Sequence, residues 1–442
     1  MRSSTTRSVR GRLVVAAVAV ATLGTGIATA AAQVAHPTVV DERPVPWTPH
    51  VLDGVVNAIA VVDDTVVVGG TFTEVTDASG GFHQLRPYLF GFGLHDGWIR
   101  PLRAELDGPV TALAPGPDRT VYVGGDFRTV NGVAQRGVTQ LRVDTGERVE
   151  EFRAAVGQGT VRTLAAHAGW LYVGGTFSHV NGVARAGLAR LDAATGVVDR
   201  TFDAGLTFEE GQRVKVEDLA VAPDGRRLVA VGNFSRARGL PRPQLVMLDL
   251  AADPPAVADW YTDAYRPRCA PVFTGYLRGV DFSPDGSWFV VVTTGGLSHP
   301  TLLCDTAARF EATGTGRHAP TWVNHTGGHS LYAVAITGAA VYVGGHQRWM
   351  DNPHGDKHPG PGAVEREGIA ALHPDTGRAL PWNPGRDRGI GVQAFLATPH
   401  GLFVGSDTTR LGGEVRGRIG MFPLAAPATA DGPAVGEPAG EP

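Results

Sequence analysis

The stretch Leu171-Tyr172-Val173-Gly174-Gly175-Thr176-Phe177-Ser178-His179-Val180-Asn181-Gly182-Val183-Ala184-Arg185 decides the fold. It opens as an apolar strand that stops at two glycines, and Asn181-Gly182 is a tight-turn pair. The phrase recurs as Val66-Val67-Val68-Gly69-Gly70, Val121-Tyr122-Val123-Gly124-Gly125 and Val341-Tyr342-Val343-Gly344-Gly345. More degenerate copies are Leu228-Val229-Ala230-Val231-Gly232, Phe289-Val290-Val291-Val292-Thr293 and Leu402-Phe403-Val404-Gly405-Ser406. Taken at Gly69, Gly124, Gly174, Gly232, Thr293, Gly344 and Gly405, the copies follow one another at intervals of 50 to 61 residues, a little above kelch-type spacing.

Residues 161–204 show the unit most clearly. Strand Val161 to Ala166 turns at Gly169 into Trp170 to Gly174, a third strand runs from Gly187 to Leu191, and Asp192-Ala193-Ala194-Thr195-Gly196 turns into a short outer strand ending at Phe202. Turns every eight to twelve residues are an antiparallel all-β signal. Four strands per unit and seven units predict an all-β, seven-bladed β-propeller of four-stranded antiparallel blades. A large apolar residue closes each outer strand: Trp47, Leu102, Phe152, Phe202, Trp260, Trp322 and Trp382. The last unit, near Phe422, has no outer strand of its own, so residues 42–48 are expected to complete that blade and cover its edge. The propeller then spans 42–424, and residues 425–442, rich in Ala, Pro and Gly, are expected to be a disordered tail.

The phrase at 171–185, followed by Leu188-Ala189-Arg190-Leu191-Asp192-Ala193-Ala194-Thr195-Gly196, resembles the delta-60 repeat of secreted bacterial β-propellers, which are kelch- and WD-like in build. With the degenerate copies included, the resemblance covers about residues 45–424. It implies a propeller and an extracellular setting and implies no reaction, so function is argued from the site.

The N-terminus agrees with export. Arg2, Arg7, Arg10 and Arg12 precede the apolar run Leu13 to Leu23 and small residues at 28–32, the order of a cleaved signal peptide over residues 1–32. An uncleaved anchor is the alternative, against which Thr22, Gly24, Thr25 and Gly26 argue. No second apolar run of spanning length follows, which predicts a secreted monomer without a membrane span. The 442-residue chain carries a formal charge of −4, falling to about −8 without the four leader arginines, which disfavours a nucleic-acid partner. Its two cysteines, Cys269 and Cys304, sit in loops that a propeller brings to one face. They read as a disulfide in an oxidising compartment, with two buried thiols as the alternative.

An arginine recurs three residues before the third strand as Arg86, Arg185, Arg242, Arg366 and Arg416, with Arg136 displaced by one. A residue shared by most units reads as a structural tie to carbonyls or a carboxylate of a neighbouring blade. Long loops that break the repeat gather in units five to seven and give the candidate ligand residues His346, Arg348, Trp349, Asp351, Arg386, Asp387, Arg388, Asp407 and Asp305. Trp349 is either a sugar-stacking platform or an interblade plug, and Arg386, Asp387 and Arg388 are either an anion clamp or a loop brace. His346, His354 and His358 are weak metal candidates whose alternative is solvated loop polarity. No metal and no cofactor is expected.

No nucleophile elbow, zinc-protease motif, phosphate loop or EF-hand is present. Ser283-Pro284-Asp285-Gly286-Ser287-Trp288 resembles a sialidase aspartate box but falls on a hairpin and reads as a turn. The expectation is a binding or scaffold module for a polysaccharide or cell-surface glycan. The alternative is a secreted carbohydrate-active hydrolase or lyase using Asp305, Asp351, Asp387 or Asp407.

Overall fold

The structure, a computed structural model, describes residues 33–208, 212–270, 273–296 and 299–425. The expected leader, and the expected tail beyond Ala425, lie outside the described residues. Within them the chain is strand and turn without a helix, and no helix is long and apolar enough to cross a membrane.

Among the described residues the strands form thirteen antiparallel sheets: seven larger ones follow one another along the chain, and six sheets of two or three short strands are built from the hairpins and connections between them. The first joins Val56–Val62, Thr65–Gly70 and Leu89–Gly93; the second joins Val110–Pro115, Thr120–Gly125 and Val138–Arg142. The third is Val161–His167, Trp170–Gly175 and Leu188–Asp192. The fourth and fifth carry four full strands, Val216–Val221, Arg227–Gly232, Leu245–Asp249 and Ala256–Val257, then Leu277–Phe282, Trp288–Thr293, Thr306–Glu311 and Trp322–His325. The sixth is Leu331–Ile336, Val341–Gly345 and Ile369–Leu372; the seventh is Ala394–Thr398, Gly401–Gly405 and Ile419–Pro423.

The expected fourth strand is reduced to a single bridge in the first, second, third and sixth sheets, at Phe92–Ile99, Leu141–Arg148, Leu191–Val198 and Leu372–Ala379. Strand twist accumulates outward, so an outer strand that is not held by a long ladder diverges after one pair. In the seventh sheet the partner comes from the other end of the chain. Val40 bridges Leu424, and the Asp41 and Val45 amides donate to Pro423 O and Met421 O, so pairing begins two residues ahead of the expected 42–48.

The core is divided among seven clusters, each filling the space between two sheets. Trp260, Tyr265, Phe282, Phe289 and Phe310 pack between the fourth and fifth, and Phe72, Phe90, Phe92, Phe403 and Met421 between the first and the last. The Gly-Gly phrase belongs to this packing. A Cβ on Gly124 would lie 2.5 Å from Val161 of the next sheet, and one on Gly344 would lie 2.6 Å from Val392. The first glycine thus makes room for the residue that opens the following sheet. Strand register corrects two of the repeat positions: Val216 pairs Gly232 as Val161 pairs Gly175, and Leu277 pairs Thr293 likewise. Val231 and Val292 therefore stand where the first glycine stands elsewhere.

Three of the recurring arginines tie a hairpin to the outer strand of its own sheet. Arg185 donates to Ala184 O and Asp199 O at 2.7 and 3.0 Å, Arg242 to Ala258 O at 3.0 Å, and Arg366 to Leu380 O at 2.6 Å. Their partners are carbonyls of the same unit, not of a neighbour. In the second unit Gln135, not Arg136, holds the position, donating to Val138 O and Ala154 O. Cys269 and Cys304 form a disulfide. Ser283 to Trp288 is a turn knitted by Asp285, which accepts from Ser283 Oγ and from the Ser287 amide and hydroxyl.

Candidate ligand site at the sheet openings

Six of the seven first strands carry a β-bulge one residue after they begin, between Val56 and Ala58, Val110 and Ala112, Val161 and Thr163, Val216 and Asp218, Leu277 and Gly279, and Leu331 and Ala333. A bulge re-aims the extra side chain out of the ladder. The extra residues are Asn57, Thr111, Arg162, Glu217, Arg278 and Tyr332, and Gln393 precedes the seventh strand in the same way. All seven line one cavity of about 490 Å³, so each of the larger sheets contributes a polar side chain to its wall.

Asn57 and Thr111 also bind sheets together, donating to Val110 O at 3.2 Å and Val161 O at 2.5 Å. Glu217, nearly buried, is held by three cations. Arg278 Nη1 donates to its Oε1 at 2.9 Å, Arg162 Nη1 lies 3.2 Å from its Oε2, and Lys215 pairs with Oε1. Burial pulls the Lys215 ammonium below the usual lysine range, against the pull of Glu217. Asp218 turns the other way. Its oxygens accept from Thr163 Oγ1, the Leu219 amide and the Val280 amide, and burial pushes its carboxyl up to about 6.

Tyr332 leads from this ring toward the long loops, its hydroxyl 3.1 Å from His346 Nδ1. His346 packs edge to face with His329, whose ring lies tilted by 45° against Trp349 at 5.7 Å. Burial lowers both imidazoles, His329 to about 4, so each is neutral at pH 7. Arg388 donates to His346 O at 3.3 Å. His346 thus contacts one residue of the cavity wall, Tyr332, while Trp349 and Arg388 are linked to it only through His329 and the His346 carbonyl; none of the three lines the cavity, and Arg348 is exposed on the Trp349 hairpin.

The remaining candidates serve the loops. Arg386 is buried and donates to Gly345 O and Arg388 O; burial lowers its guanidinium to about 10 despite Asp407. Asp407 accepts from the Ile390 and Gly391 amides at 2.5 and 3.0 Å, and exposed Asp387 accepts from Thr409 Oγ1. These bonds join the segments 386–391 and 407–409 to each other and to Gly345. Asp305 is fully buried and accepts from Ser330 Oγ at 3.2 Å. Asp351 accepts from Asn324 Nδ2 at 2.6 Å and the Ala379 amide at 3.3 Å, with φ of 52°. It stands where Asn131 (φ 51°) and Asn181 (φ 48°) stand in the Asn-Gly turns. His354 and His358 are exposed, and among the described residues no group of three His, Cys, Asp or Glu side chains is placed to hold a metal.

The bulged ring escaped the sequence reading, although a signal existed. An apolar residue followed by a polar one opens every first strand, from Val56-Asn57 to Val392-Gln393. Sequence alternation alone does not reveal that this residue is extra to the ladder.

Comparison with known proteins supports the architecture. The family described as "Domain of unknown function (DUF5122) beta-propeller" matches residues 169–202, the best-preserved unit. No curated protein matches the chain. Among solved structures, the WD40 repeats of RRP9 are similar at 11% identity and a TM-score of 0.52, covering 86% of this chain and 98% of that one. The β-propeller domain of Cps50 (Swd1) from Myceliophteria thermophila is similar at 11% identity and a TM-score of 0.50, covering 84% and 97%. The chain is thus an all-β protein with a β-propeller fold. Likeness at this identity carries the fold alone.

Proposed function

We propose that the chain is a secreted, monomeric, seven-bladed propeller of the delta-60 repeat type that binds a polysaccharide or cell-surface glycan. Its ligand sits at the mouth of the 490 Å³ cavity, beside the long loops of blades five to seven. The blade count is supported, among the described residues, by the seven larger sheets and by seven core clusters that each bridge two of them, the last sheet packing on the first. Residues 40–45 complete the seventh blade, and the single outer bridges stand for the fourth strands. The Cys269–Cys304 disulfide fits an oxidising compartment reached through removal of residues 1–32.

One observation carries the reading: each of the larger sheets sends at least one polar side chain into a single cavity, six of them at a bulge in the first strand that re-aims it. Asn57, Thr111, Tyr332 and Gln393 supply donors and acceptors suited to hydroxyl-rich ligands. The hydrolase reading needs two facing carboxylates among Asp305, Asp351, Asp387 and Asp407, yet none of the four lines the cavity, and Asp305, Asp351 and Asp407 are engaged by donors of neighbouring segments. Binding is tested by a glycan-binding and hydrolysis screen on the mature protein beside the variant Tyr332→Phe/Gln393→Ala. Affinity should fall about tenfold or more in the variant. Unchanged affinity overturns the site, and release of reducing ends overturns the non-enzymatic reading.

A further inference from the structure

The charged members of the ring are not spread around it. They occupy three consecutive sheets, as Arg162, Glu217 and Arg278, with Lys215 beside them, and the other four positions are uncharged. Lys215 is one of two lysines in the chain, the other being Lys357. Three cations surround one carboxylate. Glu217 is only 9% exposed, whereas the Arg162 and Arg278 side chains are 42% and 23% exposed. Glu217 engages one terminal nitrogen of each guanidinium in these pairs, which leaves the planar forks with further N–H donors on the cavity side. Asp218, the other carboxylate on this wall, spends its oxygens on Thr163, Leu219 and Val280 and does not neutralise the arginines.

Building on the proposed glycan site, we infer that this cluster selects an acidic saccharide, seating a carboxylate or sulfate group between Arg162 and Arg278 while Glu217 holds the two guanidinium groups apart and oriented. The uncharged arc of Asn57, Thr111, Tyr332 and Gln393 then faces the sugar hydroxyls. A planar anion between two guanidinium groups gains charge-assisted, paired hydrogen bonds that a neutral sugar does not offer.

The test is calorimetric titration of the mature protein with oligogalacturonate, a heparin-derived oligosaccharide and a neutral glucan of equal length, at low and high NaCl. At least one acidic ligand is expected to bind about tenfold or more tightly than the glucan and to weaken with salt. The two acidic arms separate carboxylate from sulfate recognition. Arg162→Gln/Arg278→Gln should abolish that preference. Because it strands Glu217, the charge-balanced Arg162→Gln/Glu217→Gln/Arg278→Gln variant is measured beside it and should show the same loss. A glucan that binds as well as the acids, with binding lost in Tyr332→Phe/Gln393→Ala and kept in the arginine variants, overturns the inference and leaves the glycan site standing. No binding by any probe, or binding indifferent to both sets of variants, overturns both.

Discussion

The Arg416 guanidinium donates from Nε to Val45 O at 3.0 Å, across 371 positions of sequence. It is the same tie that Arg185, Arg242 and Arg366 make within their units, except that here the outer strand comes from the opposite end of the chain. Arg416 also donates to Val415 O at 2.6 Å, so one side chain fixes the hairpin and the strand together. Arg416→Ala should cost roughly 1 to 2 kcal/mol, the worth of a charged donor on a carbonyl at a half-buried site. Removing residues 33–48 should do much more, because it exposes the edge at Met421 and Pro423 and uncovers Phe422. Urea unfolding of both variants ranks them; a deletion no worse than the point change would show that the terminal strand closes nothing.

Gly405 tests the same junction from inside the sheet. A Cβ there would lie 2.6 Å from Val56 Cγ1 and 3.2 Å from Val56 O, and one of those atoms is backbone. Gly405→Ala should destabilise by roughly 1 to 3 kcal/mol, the cost of overpacking a filled interface. Val56→Ala in the same chain should recover part of that loss, because the clash partner is shortened. A double-mutant cycle without coupling would place the two residues apart.

The disulfide joins two loops 35 residues apart in sequence. In the chain-entropy model a closed loop of that length contributes about 4 kcal/mol, so Cys269→Ser/Cys304→Ser should unfold at clearly lower denaturant. Alkylation of the unfolded native protein should label no thiol before reduction and two after it. Labelling before reduction would remove the disulfide from the account.

How much of this was legible in the sequence depends on whether a residue repeats its unit or departs from it. The strand phrase, the Asn-Gly turns and the arginine ties repeat, so their roles appear as periodicity, and Cys304 appears as a break in it. Arg136 misled because one-residue slips are invisible until strands pair; Gln135 makes the bonds. Asp351 drew notice as an acidic loop residue, while its alignment with Asn131 and Asn181 already placed it in a turn. The arc at Arg162, Glu217 and Arg278 was hidden for a different reason. A polar residue at a strand start is ordinary in sequence, and only the bulge turns it into the cavity.

Asp351→Asn follows from that alignment. An asparagine fits the same left-handed backbone as at Asn131 and Asn181, but its single amide oxygen can accept from only one of Asn324 Nδ2 and the Ala379 amide, so this change should cost about 1 kcal/mol. Asp351→Ala removes both oxygens, which leaves buried Asn324 with only Gly377 O for its Nδ2 and the Ala379 amide without its acceptor, and should cost about 1 to 3 kcal/mol. Glycan affinity should be the same in Asp351→Asn as in the native protein. A selective loss of binding in the stable Asp351→Asn variant would return Asp351 to the ligand site.

Asp281 gives the fold a dependence on pH whose sign is fixed by burial. Its carboxylate is enclosed at the far end of the first strands, where it accepts from Gln33 Nε2 at 2.6 Å and from the Phe282 and Ile336 amides. Burial outweighs those donors and pushes it up to about 7, as it pushes Asp218 to about 6. Both values lie above the unfolded 3.8, so between about pH 4 and 7 the native state holds the extra protons. Their contribution to stability is therefore greatest in acid and falls as pH rises toward 7. Neutral buried histidines act in the opposite sense: His325 and His329, lowered to about 4, cost stability as pH drops below 6.5. The whole-protein curve mixes both, and a difference measurement separates them. Asp281→Asn removes the charge and keeps one acceptor oxygen, for Gln33 and Phe282 at Oδ1 or for Ile336 at Oδ2; the lost acceptor is a pH-independent cost, so the variant's stability relative to the native protein should still rise between pH 5 and pH 8. Urea midpoints at the two pH values measure this, and an equal difference at both would mean that the carboxylate titrates alike in the folded and unfolded chain.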